Sequence, residues 1–331
     1  GTGEKPGTGE KPGTGEKPGE ECPCEGTGEK ADGGKCPCEG TGIMPSNTLP
    51  IKDVETNVKD PEFVLYLSCS TENGEGRVYQ VTDKGRILGV VKLPHPAFGI
   101  SLHRADGLIL AVPRDGQVMR IDEKGNVSII IEKDKNLVHP IDVGTYGNNV
   151  IVADNIADVL SITNIHGADP QTQRRFEGQK WTAQSMSVAI TKDRNVVYGT
   201  EDGIYHFSNN DDKPILPDAG GVATDVNTLK WVATQDNQIY VFEGKELLKK
   251  FRLPPNKKMY NGLLSFAPGS SIVAATRSSD STNDVWLLQY STEEDKINSL
   301  FPWKQDELKD FVVGPRMRWE HNKSKSYESP F

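Results

Sequence analysis

Leu108-Ile109-Leu110-Ala111-Val112, a short polar turn, and then Gln117-Val118-Met119-Arg120-Ile121-Asp122 form the phrase on which the reading of this chain turns. The first run is continuously apolar, as expected of a strand buried on both faces, and the second alternates, as expected nearer a rim. The phrase recurs at a period near 40 residues. Phe63 to Ser70 precedes Arg77 to Thr82, and Asn149 to Asp154 precedes Asp158 to Thr163. Asn195 to Thr200 precedes Gly203 to Ser208, Lys230 to Thr234 precedes Gln238 to Phe242, and Ser271 to Thr276 precedes Asp284 to Tyr290. Turns rich in Asp, Asn, Gly and Ser separate the runs, residues that favour tight reversals. Six such pairs with no long amphipathic helix predict an all-β fold with one sheet per repeat.

Five of the pairs follow a further strand-like segment: Phe98 to His103, Pro140 to Tyr146, Ser185 to Thr191, Val222 to Asn227 and Gly262 to Ala267. The first pair lacks one, while the chain carries a spare strand near its end, Phe311 to Trp319. Placing that strand in the first sheet closes a ring and removes free sheet edges. The predicted fold is a six-bladed β-propeller over residues 61–320, with at most a short helical turn at 304–310. A tail, 321–331, follows.

Ahead of it lies a different kind of sequence. Residues 1–18 are three copies of Gly-Thr-Gly-Glu-Lys-Pro, which cannot bury a face and should be flexible or extended alone. They are read as an arm that orders against neighbouring copies of the protein. Thr2, Thr8 and Thr14 of the repeat are candidate glycan acceptors, with a bare spacer as the simpler reading. Residues 19–42 hold Cys22-Pro23-Cys24 and Cys36-Pro37-Cys38, eleven residues apart and each followed by Glu-Gly-Thr-Gly. Four thiolates in two pairs suit a tetrahedral Zn²⁺ site, and the same pairs suit two disulfides in an oxidising compartment. Residues 43–60 read as a polar linker. Cys69, alone in an apolar run, reads as a small buried hydrophobe.

The net charge of −9 argues against a nucleic-acid partner, and no apolar run approaches the ~20 residues that span a bilayer. The chain begins with Gly rather than Met, so processing or a start inside a longer product is expected.

The phrasing Val118-Met119-Arg120-Ile121-Asp122-Glu123-Lys124-Gly125 resembles the NHL and gluconolactonase-like propellers. The Cys-x-Cys-x-Gly-x-Gly units resemble the zinc knuckles of DnaJ-type chaperones, which have two residues between the cysteines where this chain has one. Thr-Gly-Glu-Lys-Pro resembles a zinc-finger linker, but no finger flanks it.

The lactonase resemblance implies a divalent metal in the axial channel, held by a Glu, an Asn and an Asp. Asn261-Gly262-Leu263 resembles the family's Asn-Gly-Leu. Gly314-Pro315 with Trp319 resembles the strand that carries the Glu, yet Val313 stands at that place and offers no oxygen to a hard cation. Asp225 stands as a loose match to the third ligand. Asp142 begins an inner strand and joins Asp225 and Asn261 as the candidate channel site, with backbone capping as the plainer role for Asp142 and Asp154. His95-Pro96 and His139-Pro140 recur before inner strands, which the repeat itself explains. No Gly-x-Ser-x-Gly elbow, P-loop or His-Glu-x-x-His motif occurs.

Three function classes follow. The first is a non-catalytic structural or adhesive subunit of an extracellular filament, appendage or virion surface, contacting copies of itself through the arm. The second is an NHL-type module binding protein or glycan on its loop face, including Ser278 to Asn283. The third is a metal-dependent lactonase-like hydrolase.

Overall fold

A computed structural model describes residues 63–133, 137–156, 187–200, 202–206, 214–225, 227–279, 284–291 and 296–319, with the strand backbones 159–164 and 170–175. The chain divides into two units, Gly1–Asn57 and Val58–Phe331, and all described residues belong to the second. The arm, the cysteine pairs at Cys22, Cys24, Cys36 and Cys38, the linker and the tail lie outside the described residues.

The first sheet holds β1 (Val64–Ser70), β2 (Gly76–Thr82) and β3 (Ile87–Leu93). The second holds β4 (Gly99–His103), β5 (Gly107–Val112), β6 (Gln117–Ile121) and β7 (Val127–Ile131). The third holds β8 (Pro140–Tyr146), β9 (Asn149–Asp154), β10 (Val159–Asn164) and β11 (Pro170–Arg175). The fourth holds β12 (Ser187–Ile190), β13 (Val196–Thr200), β14 (Gly203–His206) and β15 (Leu216–Pro217). The fifth holds β16 (Gly220–Thr224), β17 (Lys230–Gln235), β18 (Gln238–Glu243) and β19 (Glu246–Arg252). The sixth holds β20 (Lys257–Ala267), β21 (Ser271–Ser278), β22 (Val285–Tyr290) and β23 (Ile297–Trp303). The last strand, β24 (Glu307–Gly314), joins the first sheet in the order β24-β1-β2-β3, and every sheet is antiparallel and four-stranded. The architecture is an all-β propeller.

The packing explains why the second strand of each sheet is apolar throughout. Alternate residues of β1 point to opposite sides: Val64 and Tyr66 join one apolar cluster with β4 to β6, while Leu65 and Leu67 join another with β20 to β23. Val232 and its neighbours Trp231 and Ala233 divide between clusters in the same way. Six apolar clusters result among the described residues, one between each sheet and the next, the last lying between the sixth sheet and the first. Each innermost strand also packs on the next, from β4 through β8, β12, β16, β20 and β24 back to β4.

Two residues of the segment that follows β24 are buried. Beyond β24, Met317 and Trp319 enter the cluster between the first two sheets. The Tyr66 hydroxyl donates to the Pro315 carbonyl at 2.7 Å and accepts from Met317 N at 2.9 Å and Gln80 Nε2 at 3.0 Å. Burial pushes this phenol up to about 12, so it remains a protonated donor at any ordinary pH.

Several expectations change. Residues 304–310 hold no helical turn; β24 begins at Glu307, and Pro315 to Trp319 run on without strand pairing. The innermost strands shift from their expected bounds to Gly220–Thr224 and Lys257–Ala267. Each sheet also has a fourth, outer strand that the apolar pattern did not mark. In β19, Leu247 and Leu248 are exposed, while Lys249 and Lys250 lie over the Phe251 and Tyr240 rings. A solvent-facing edge strand of this kind has no reason to alternate cleanly, and its lysines discourage edge pairing.

Candidate channel site

The innermost strands carry one position that can be followed around the ring by its hydrogen bonds. Asp310 of β24 accepts from its own neighbour Phe311 N and from Ile100 N of β4, both at 2.8 Å. Asp142 of β8 does the same, accepting from Val143 N at 2.8 Å and from Val188 N of β12 at 2.7 Å. Ser187 of β12 repeats the role with Val222 of β16: its hydroxyl accepts from Val222 N at 3.1 Å and donates to Val222 O at 3.2 Å. The corresponding residues of β4, β16 and β20 are Gly99, Gly221 and Gly262.

Glycine is required at two of these. A Cβ on Gly99 would lie 2.5 Å from both Cα and Oδ1 of Asp142. A Cβ on Gly221, whose φ is +59°, would meet the Gly262 carbonyl oxygen at 1.9 Å. Inner strands thus approach each other backbone to backbone or are stitched by a short polar side chain. Three residues further along, Ser265 of β20 accepts from Val313 N at 3.0 Å, and Thr145 donates to Leu102 O at 2.8 Å.

The candidate residues separate on this frame. Asp142 is at the ring position just described. Its carboxyl is pushed up to about 7 by burial, against the hydrogen bonds that favour the charge. Asn261 is exposed on β20 with φ +52°, directly before Gly262 and so beside the same level. Asp225 lies four residues beyond Gly221, ~13 Å along a strand rising 3.3 Å per residue. There it closes a turn, accepting from Asn227 N at 2.9 Å and Thr228 Oγ1 at 3.0 Å. Val313 sits in the apolar cluster between the sixth sheet and the first. Among the described residues, no three of His, Cys, Asp or Glu are grouped to hold a metal ion.

Asp154 caps a loop, accepting from Val138 N and His139 N at 2.6 Å each and from Ile156 N at 3.0 Å. His95 and His139 are equivalent residues: Nδ1 of each engages a side chain beyond the second strand of its own sheet, Asp115 at 2.5 Å and Asn155 at 2.7 Å. Cys69 is buried in apolar surroundings, and burial raises its thiol far above the ordinary range. Asp310 was not singled out from the sequence. Its signal was present in retrospect: aligned on the spare strand, Asp310-Phe311-Val312 matches Asp142-Val143-Gly144.

No protein-family profile matches the chain, and no curated protein matches it in sequence. Solved structures do match in fold. A provisionally named 6-phosphogluconolactonase of Bacteroides fragilis aligns with a TM-score of 0.52 at 12% identity, over 78% of this chain and 100% of that one. A streptogramin B lyase aligns at 0.47 and 12%, over 71% and 82%. A chain of a nidogen/laminin complex aligns at 0.48 and 11%, over 78% and 99%. The neighbours are NHL- and lactonase-like and lyase propellers, and at these identities the likeness is one of fold alone. No helix among the described residues is long and apolar enough to cross a membrane.

Proposed function

We propose that this chain is a non-catalytic propeller subunit of a larger assembly: a rigid six-bladed body, closed by β24 in the first blade, that reaches neighbouring copies through residues 1–60. One observation carries the reading. The polar side chains of the innermost strands, Asp142, Asp310, Ser187 and Ser265, are committed to hydrogen bonds between adjacent strands. Such stitching stiffens the body and leaves those groups little freedom to serve a substrate. The setting is an extracellular filament, appendage or virion surface, with the four arm cysteines holding Zn²⁺ or two disulfides. Sedimentation and electron microscopy of the full chain, beside a version lacking residues 1–60, test it. The expected outcome is assembly by the full chain and not by the shortened one. A full chain that stays monomeric at high concentration refutes the reading.

A lactonase-like hydrolase is the competing reading, favoured by Asn261, which is exposed beside the level of Asp142. Metal analysis of residues 61–331 separates the two. The hydrolase requires a stoichiometric divalent metal there, whereas the assembly reading places any zinc in the arm. A protein or glycan ligand on the loop face is the remaining alternative, and loss of a captured partner on removing 278–283 would support it.

A further inference from the structure

The innermost strands share one level at Asp142, Ser187 and Asp310 and another three residues on, so they run in the same direction. The segments that follow them therefore gather at one end of the channel. Arg104 follows β4 there, and Asn227 follows β16. These strands are not neighbours: β8 and β12 separate them on one side, β20 and β24 on the other. Yet Nη2 of Arg104 donates to Oδ1 of Asn227, so one hydrogen bond spans the mouth of the channel. We propose that this mouth binds a small oxyanion, a phosphate or carboxylate group that Arg104 takes in exchange for Asn227.

The charges of these segments favour an anion. Arg104, Lys192, Arg194 and Arg316 are all exposed, and none has an ion-pair partner among the described residues. The acids nearby are turned to their own loops. Asp106 pairs with His103 at 2.8 Å and with Arg120 at 3.2 Å. Asp193 accepts from Thr191 Oγ1 and, at 2.6 Å, from Asn195 Nδ2. Asp225 holds Asn227 N and Thr228 Oγ1. In a chain of net charge −9, cations without partners are thus concentrated at one end of the channel, where they attract a negative ligand. A guanidinium has five N–H donors, of which the neutral Asn227 amide takes one. An oxyanion in its place makes a charge-assisted bond, about twice as strong as a neutral one, and can accept two at once. The outer turns at the same end carry Asp83, Glu123, Glu243 and Glu246. An extended polyanion lying across this end would meet those like charges, so the arrangement fits a small anion that reaches the centre.

Isothermal titration calorimetry of the full chain with inorganic phosphate and, separately, with citrate at constant ionic strength tests this. Saturable binding of at least one probe is expected, phosphate alone marking a tetrahedral group and citrate alone a carboxylate. Arg104→Gln should weaken it about tenfold or more. Arg104→Lys should weaken it less, because the charge is kept and only the fork is lost. Lys84→Gln, in the outer turn between β2 and β3, should leave the affinity unchanged. Asn227→Ala removes the competing acceptor and should tighten binding, a change opposite in sign to what damage to the fold would give. Absence of saturable binding with both probes, equal affinity in wild type and Arg104→Gln, or an equal loss in Lys84→Gln overturns the proposal.

Discussion

Replacing Tyr66 by Phe removes one oxygen atom from the place where the segment after β24 is fastened. That oxygen meets the Pro315 carbonyl, Met317 N and Gln80 Nε2. Gln80 keeps a second partner, the Met317 carbonyl at 2.9 Å, so the groups left without one are Met317 N and Pro315 O. A buried backbone N–H so orphaned costs ~1–3 kcal/mol, while the carbonyl of the exposed Pro315 can turn to water, which sets the expected loss at about 1–3 kcal/mol. At ~2–4 °C per kcal/mol for domains of about this size, the melting temperature should fall by roughly 2–12 °C. Urea unfolding followed by tryptophan fluorescence measures it, and Trp319, with its ring 5.5 Å from that of Tyr66, is a local reporter. Tyr290→Phe is the internal control. Its hydroxyl is buried without a hydrogen-bond partner among the described residues, so deleting it should be neutral or stabilising by ~1 kcal/mol. Equal effects of the two substitutions, or a loss below ~0.5 kcal/mol for Tyr66→Phe, would show that the hydroxyl does not fasten the segment after β24.

Gly221→Ala should abolish the folded state or cost more than ~3 kcal/mol, because its methyl would collide with backbone rather than with a yielding side chain; circular dichroism melting reads this directly. Cys69 should resist maleimide in the native protein and react within minutes once unfolded, and rapid native labelling would contradict its burial. Ending the chain before Glu307 should remove cooperative melting, because β1 would lose its whole pairing with β24; a truncated protein that melts at the wild-type temperature would disprove the closed ring.

The repeat was legible because each second strand is buried on both sides, a condition that shows directly in runs such as Leu108 to Val112. The spare strand was legible by subtraction: five pairs had an inner partner and one did not. The outer strands were not, since β11 (Pro170–Arg175) carries no apolar alternation in its sequence and β19 is largely exposed. Local sequence also misplaced the start of β24. Glu307-Leu308-Lys309-Asp310 has the look of a polar turn, and only pairing with β1 makes it a strand.

The same division holds for the site. Composition and order alone determined that this chain builds sheets in series, that its ends differ in kind from its middle, and that Val313 brings no metal-binding oxygen. Only the tertiary structure decided that Asp142 and Asp225 stand at different heights, and that Asp310, 168 residues after Asp142, meets the same strand, β4. Strand patterning is a property of neighbours along the chain, whereas which carboxyls meet one strand depends on which inner strands pack together, and that is set by contacts between residues far apart in sequence.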